Sequence, residues 1–282
     1  MIDLANKTFI VTGANTGIGK ITARELARGG AHVILACRSE AKTAQVIDEI
    51  QREVPGAKLE YVHLDLGDLG SVRACAEAIR ARGTPIHGLI NNAGLAGARG
   101  LTKDGFELTF GTNHLGHYLF TRLLLDRLKE AGTARIVNVA SKSHYRARGI
   151  DWDSVKQPTK TVTGMREYEQ SKLSNVLFTK ELARRLAGTG VTTYAVHPGV
   201  VATDVWRRVP GMLRWAMKKF MISPEQGAEA SLRCATAPEL AGQNGRYYDV
   251  GGKEAAPNRV ADDAELAGLL WTRSAEWTGV PA

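Results

Sequence analysis

The chain has 282 residues, 44% of them apolar and 23% charged, with a mean hydropathy of −0.19. This excludes a disordered chain, which would be poorer in apolar residues, and no apolar run reaches the roughly 18 residues a spanning helix needs. The formal charge of +8 would suit nucleic acid, but basic residues are spread along the chain without a helix-turn-helix, RNP or zinc-finger pattern, so no nucleic-acid partner is expected.

Residues 1–7 lack the basic-then-apolar pattern of a secretory leader. Residues 8–12 read as a strand, and Thr12-Gly13-Ala14-Asn15-Thr16-Gly17-Ile18-Gly19 then runs into a helix predicted over 17–28. The glycines let the chain turn sharply and bring N–H groups against a pyrophosphate at the positive end of the helix. With a strand before and a helix after, this is the pattern of a dinucleotide site. Gly13, Asn15, Thr16, Gly17, Ile18 and Gly19 are its expected contacts, while Gly19, Ala23 and Ala27 offer a small-residue face for packing on a sheet. A second strand, 32–37, ends at Cys37-Arg38-Ser39. An acidic residue here would accept from a ribose 2′-hydroxyl. The Arg38 fork suits a 2′-phosphate instead, so NADP(H) is the expected cofactor, with Ser39 beside Arg38.

Further along, helices are predicted over 40–54, 69–82, 104–130 and 165–187, and strands over 58–64, 86–90, 135–140, 191–196 and 246–250. Alternating β and α elements with continuous apolar strands imply parallel pairing under helices on both faces. The expected fold is α/β: one Rossmann-type domain over 1–282, a doubly wound parallel sheet of about seven strands. Two connections are longer than such units need, and both leave strands at their carboxyl ends, where ligands bind. Insertions at about 143–164 and 199–223 are therefore the expected substrate walls. His144, Tyr145 and Trp152 are candidates in the first and Trp206 in the second. The second also interleaves Trp215, Met217 and Phe220 with Arg207, Arg208, Arg214, Lys218 and Lys219, which fits an apolar lid or a helix resting on anionic membrane.

Three further signals are read more plainly. His114 and His117 have no third ligand at useful spacing, so no metal is expected. Cys37, Cys75 and Cys234 are odd in number and widely separated, which fits a reducing, cytoplasmic location. The 165–187 helix is apolar around most of its circumference (Leu173, Val176, Leu177, Phe178, Leu182, Leu186). One face must meet the sheet, and the remainder is compatible with a homodimer or homotetramer.

Taken together, the motifs resemble a known family. Thr12–Gly19 resembles the TGxxxGxG turn of the short-chain dehydrogenase/reductase superfamily, Asn91-Asn92-Ala93-Gly94 its NNAG motif, and Tyr168-Glu169-Gln170-Ser171-Lys172 its YxxxK. Asn113, Ser141 and His197-Pro198-Gly199 follow in the expected order. More narrowly, Asp104-Gly105-Phe106-Glu107, Asn113-His114-Leu115-Gly116-His117 and Gln170-Ser171-Lys172-Leu173-Ser174-Asn175 resemble the retinol dehydrogenase branch and its relatives, the light-dependent protochlorophyllide reductases.

The resemblance implies that Asp65 and Leu66 meet the adenine. It implies that Asn91, Ala93 and Gly94 border the adenosine ribose and the cofactor's middle, and that Pro198, Gly199, Val201 and Thr203 face the nicotinamide and pyrophosphate. Reducing a carbonyl needs a hydride on carbon and a proton on oxygen. A free tyrosine, with a pKa of about 10, is a poor acid–base catalyst near neutrality. Lys172 stands one helical turn after Tyr168, so its ammonium is expected to lower the tyrosine pKa. Tyr168 is then the general acid and base, Lys172 its tuner and a ribose ligand, Ser141 the group that orients the substrate oxygen, and Asn113 the holder of a water between Lys172 and solvent. The expected activity is NADP(H)-dependent interconversion of a carbonyl and an alcohol on a lipophilic small molecule. The alternatives are C=C reduction of a large ring and a cofactor-binding regulator without turnover.

Overall fold

The computed structural model describes residues 3–200 and 222–282. In chain order its strands are β1 (Thr8–Thr12), β2 (His32–Cys37), β3 (Lys58–His63), β4 (Gly88–Asn91), β5 (Ala134–Val139), β6 (Val191–Val196), β7 (Arg246–Asp249) and β8 (Lys253–Glu254). They form one sheet in the order β3-β2-β1-β4-β5-β6-β7-β8. Every pair is parallel except the last, where Tyr248 and Asp249 pair antiparallel with Glu254 and Lys253.

The helices are α1 (Gly17–Arg28), α2 (Glu40–Glu53), α3 (Leu69–Arg80), α4 (Gly116–Glu130), α5 (Met165–Arg185), α6 (Pro224–Thr236) and α7 (Ala264–Thr278). Successive strand residues point to opposite faces, and the two cores follow that alternation. Ile10, Ile34, Val62, Leu89 and Ile136 pack with Val72 and Ile79 of α3, Leu124 of α4 and Phe178 of α5. Phe9, Val11, Val33, Leu35, Ile90 and Val137 pack on the other side with Leu26 of α1, Ile50 of α2 and Cys234 of α6. The chain order reverses at β1, between β2 and β4, which opens a crevice at the carboxyl ends of the strands.

The α/β class and parallel sheet agree with the sequence reading, and four details differ. The sheet gains an eighth strand, the two-residue β8, too short to stand out in a pattern. The helix expected from 104 starts at Leu108 instead, because Gly105 adopts a positive φ of 81° and the Glu107 carboxylate caps the N–H groups of Thr109 and Phe110. Helices α6 and α7 were not anticipated. Finally, the outer surface of α5 that suggested a second subunit is covered in part by α7, through Trp271 on Phe178 and Leu182. The 143–164 connection holds two short 3₁₀ turns, Lys142–Arg146 and Ser154–Lys156. Most of the 199–223 insertion lies outside the described residues, and among those described no helix is long and apolar enough to cross a membrane.

Candidate active site

The crevice holds a cleft of about 1760 Å³, larger than the roughly 300–1,000 Å³ of ordinary ligand pockets. At its floor Gly13 takes a φ of 66°, and a Cβ added there would lie 2.9 Å from the Ala93 Cβ. A Cβ on Gly19 would stand 2.5 Å from the Gly13 carbonyl oxygen and 2.5 Å from Asn92 Nδ2. Only bare backbone fits at either position, and the first turn of α1 therefore presents its N–H groups to the cleft. Gly13, Asn15, Thr16, Gly17, Ile18 and Gly19 all line it.

One end of the cleft is basic. Arg38, Ser39, Asp65 and Leu66 line it together with Lys42, a second cation that the sequence reading passed over. The Arg38 guanidinium is largely exposed and stands 3.8 Å from the Asp65 carboxylate. Ala93 and Gly94 also line the cleft, but Asn91 does not. As the last residue of β4 it sends its side chain into the sheet–helix layer, donating to Thr121 Oγ1 (2.9 Å) and Asn138 Oδ1 (2.8 Å). Its neighbour Asn92 is the one that faces the turn, donating from Nδ2 to the Thr12 carbonyl at 2.8 Å. A one-residue step along a strand reverses the face, and this places Asn91 away from the position expected of it.

At the opposite end Ser141, Tyr168 and Lys172 line the same cleft. Tyr168 and Lys172 project from α5, and Ser141 follows β5 and caps the next turn by accepting from Ser143 N–H at 3.2 Å. Lys172 Nζ donates to the Val139 carbonyl at 2.9 Å and lies 5.6 Å from the centroid of the Tyr168 ring. Asn113 stands behind them in a widened π-helical turn, Gly111–Leu115, a feature that often marks functional sites. Its Oδ1 accepts from Leu95 N–H at 2.8 Å, and its Nδ2 donates to the Leu95 carbonyl and to Ser171 Oγ, each at 3.0 Å. The Ser171 hydroxyl in turn donates to the Tyr168 carbonyl at 2.8 Å. The Asn113 side chain is thus a brace between the Leu95 backbone and Ser171.

Burial governs the charges. It pulls the Lys172 ammonium down to about 8, because a buried cation loses its hydration. It pushes the Tyr168 phenol up, with the Ser141 hydroxyl pulling partly back. The expectation from the sequence is that the Lys172 ammonium lowers the phenol, with the positive charge of oxidised nicotinamide acting in the same direction. In the protein by itself desolvation dominates, and Ser141 is the group that opposes it.

The substrate walls also differ from expectation. His144 is fully buried, its Nε2 accepting from Asn258 N–H at 3.0 Å. Tyr145 donates its hydroxyl to the Ala256 carbonyl at 2.5 Å, and Trp152 packs on Trp277 under the Arg273 guanidinium. None of the three lines the cleft. Leu101, Leu108, Val162, Met165 and Val200 do, joined by His197, Pro198 and Gly199. Val162 is 84% exposed, a large apolar side chain in water whose place beside the cleft a sequence pattern does not reveal. Val201, Thr203 and Trp206 lie outside the described residues. Among the described residues no group of three or more His, Cys, Asp or Glu is placed to hold a metal.

A bare-backbone cradle at a helix N-terminus with a basic end fits a nicotinamide dinucleotide, and the comparisons with known proteins agree. The family model for short chain dehydrogenase matches residues 7–213. Human retinol dehydrogenase 13 is 44% identical over 291 residues, an alignment covering 99% of this chain and 86% of that protein. Among solved structures, an uncharacterised protein from Mycobacterium paratuberculosis superposes with a TM-score of 0.80 at 35% identity, covering 100% of this chain and 97% of the other. A protein from Beutenbergia cavernae, described as an NAD(P) dependent gluconate 5-dehydrogenase with bound NADP, superposes with a TM-score of 0.72 at 27% identity, covering 89% and 97%.

Proposed function

The chain belongs to the short-chain dehydrogenase family, in its retinol dehydrogenase-like branch, and from that premise we propose that it is an NADP(H)-dependent enzyme interconverting a carbonyl and an alcohol on a lipophilic substrate. The observation that carries the reading is the convergence of Ser141, Tyr168 and Lys172 on one end of a cleft whose other end carries Arg38 and Lys42.

When bound, the nicotinamide supplies the hydride that reaches the carbonyl carbon. The Ser141 hydroxyl donates to the substrate oxygen and fixes its orientation. Tyr168 passes its phenolic proton to that oxygen as negative charge develops, and the Lys172 ammonium stabilises the phenolate left behind. Lys172, held at the Val139 carbonyl, would also hold the cofactor's ribose hydroxyls. In the oxidative direction the phenolate takes the alcohol proton. At the other end Arg38 and Lys42, which line the same cleft, would hold the 2′-phosphate. Leu101, Leu108, Val162, Met165 and Val200 favour an apolar substrate, in keeping with a relative named for retinol.

The test is consumption of NADPH by purified protein against retinal, long-chain aldehydes, ketosteroids and a polar sugar acid. Turnover of at least one lipophilic carbonyl, with the sugar acid inert, is the expected result. Cofactor binding without oxidation across the lipophilic set would overturn the reading.

A further inference from the structure

Neither the sequence motifs nor the mechanism gives His117 any task. Its side chain is nonetheless buried between the two halves of the site, 2% exposed, on the first turn of α4. Nδ1 lies 3.0 Å from the Asn113 carbonyl oxygen, and Nε2 lies 2.9 Å from Thr12 Oγ1. A carbonyl oxygen only accepts, so the Nδ1 contact is a hydrogen bond only when that nitrogen carries the proton. Nε2 then has a lone pair and must accept from the Thr12 hydroxyl.

The bonds around Thr12 point the same way. Its Oγ1 accepts from Asn92 N–H at 2.9 Å and Ala93 N–H at 3.0 Å, which uses both of its lone pairs. The single hydroxyl proton is then left to donate, and His117 Nε2 is nearer than the Ile90 carbonyl at 3.4 Å. Every polar atom in the set has a complementary partner in one arrangement of protons. Burial also pulls His117 down to about 4, so the ring is neutral at physiological pH, as that arrangement requires.

We propose that His117 is a positioning residue: with its proton fixed on Nδ1, it ties the Thr12 hydroxyl at the head of the dinucleotide turn to the Asn113 carbonyl in the widened turn behind Tyr168 and Lys172. Through Thr12 it holds the Asn92–Ala93 backbone against the turn that receives the cofactor. Through Asn113 it holds the brace that reaches Ser171 and the Tyr168 carbonyl. The two ends of the reaction, cofactor seat and proton donor, are thus set by one imidazole. The idea rests on the functional reading above for the identity of those two ends.

Two conservative variants separate the arms. His117→Asn puts an amide donor near the position of Nδ1 and keeps the Asn113 bond while losing Thr12. His117→Gln puts a carbonyl near the position of Nε2 and keeps the Thr12 bond while losing Asn113. The expected result is a crossed pattern. His117→Asn weakens NADPH binding roughly tenfold, the scale of one buried hydrogen bond, with a smaller loss of single-turnover rate at saturating NADPH. His117→Gln loses roughly tenfold in that rate, with a smaller change in NADPH Kd. A histidine that only fills space would give equal losses in both readouts for both variants, and that outcome overturns the proposal. On the unmodified protein, ¹⁵N NMR of labelled histidines, seven in all, must show His117 with a protonated Nδ1 and an unprotonated Nε2. The reverse tautomer overturns the proposal even if both variants fail to fold. The tautomer and the Kd contrast need no substrate, so they decide the matter separately from the functional reading.

Discussion

Arg38 leaves β2 at the basic end of the cleft, largely exposed and 3.8 Å from Asp65. A charge-assisted bond to a phosphate contributes about 1.5–3 kcal/mol. Arg38→Asp removes that bond and sets a carboxylate against the 2′-phosphate, so the ratio of kcat/KM for NADPH over NADH should fall by about a hundredfold or more. Steady-state kinetics with both cofactors check it, and a ratio within about threefold of the unmodified protein would contradict the assignment. That Arg38 lines the cleft is legible in the sequence, because the end of the second strand after a glycine turn opens on the crevice at the carboxyl ends of the strands. The Tyr168–Lys172 pairing was readable for a similar reason, being one helical turn. Depth was not. The sign of the Tyr168 shift depends on how far the phenol is buried and on Ser141 reaching it, and neither appears in spacing. Asn91 shows the same limit, since a strand's terminal residue and its neighbour face opposite ways.

Helix α7 was the element least visible in advance, although its ends carry ordinary signals. Asp263 caps it by accepting from Leu266 N–H at 2.9 Å, and Gly279 closes it with a φ of 62°. Helix α6 likewise begins with a capping box formed by Ser223 and Gln226, with Pro224 at its first position. Both follow the long 198–224 connection, where the alternation of strand and helix had already broken down. What α7 contributes is a cover for α5, the helix that carries Tyr168 and Lys172. Trp271 packs on Phe178 at 6.1 Å and on Tyr118 at 5.2 Å, with the guanidinium groups of Arg122 and Arg185 at 4.5 and 4.3 Å. Removing a buried indole leaves a cavity as well as lost transfer energy, so Trp271→Ala should destabilise the fold by about 3–5 kcal/mol. The midpoint of urea unfolding reads this directly. A loss below about 1 kcal/mol would mean that α7 does not hold α5 in place.

Across the whole molecule the buried histidines make stability depend on acid. Burial pulls His114 down to about 3, and His117 and His197 to about 4. Each ring is neutral in the folded protein but protonates near 6.5 once unfolded. The unfolded chain therefore binds more protons below that point, and stability falls as pH drops from about 6.5 toward about 4. Glu107, pushed up by burial, works in the opposite sense, against the five imidazoles of His87, His114, His117, His144 and His197 that burial pulls down. Guanidinium unfolding at about pH 7 and about pH 5 should show a lower midpoint at the acid value, and equal midpoints would contradict the neutral state of these rings. That neutrality matters for the site, because His117 and His197 both lie close to Lys172 and would repel it if charged. Proton delivery by Tyr168 is the central step proposed for the site, and Tyr168→Phe tests it most directly, since it removes one oxygen from a buried position. NADPH Kd should stay within about twofold, while kcat with the best lipophilic carbonyl falls by about a thousandfold, the scale of general acid catalysis. A variant that bound NADPH normally and kept kcat within about tenfold would contradict the central claim.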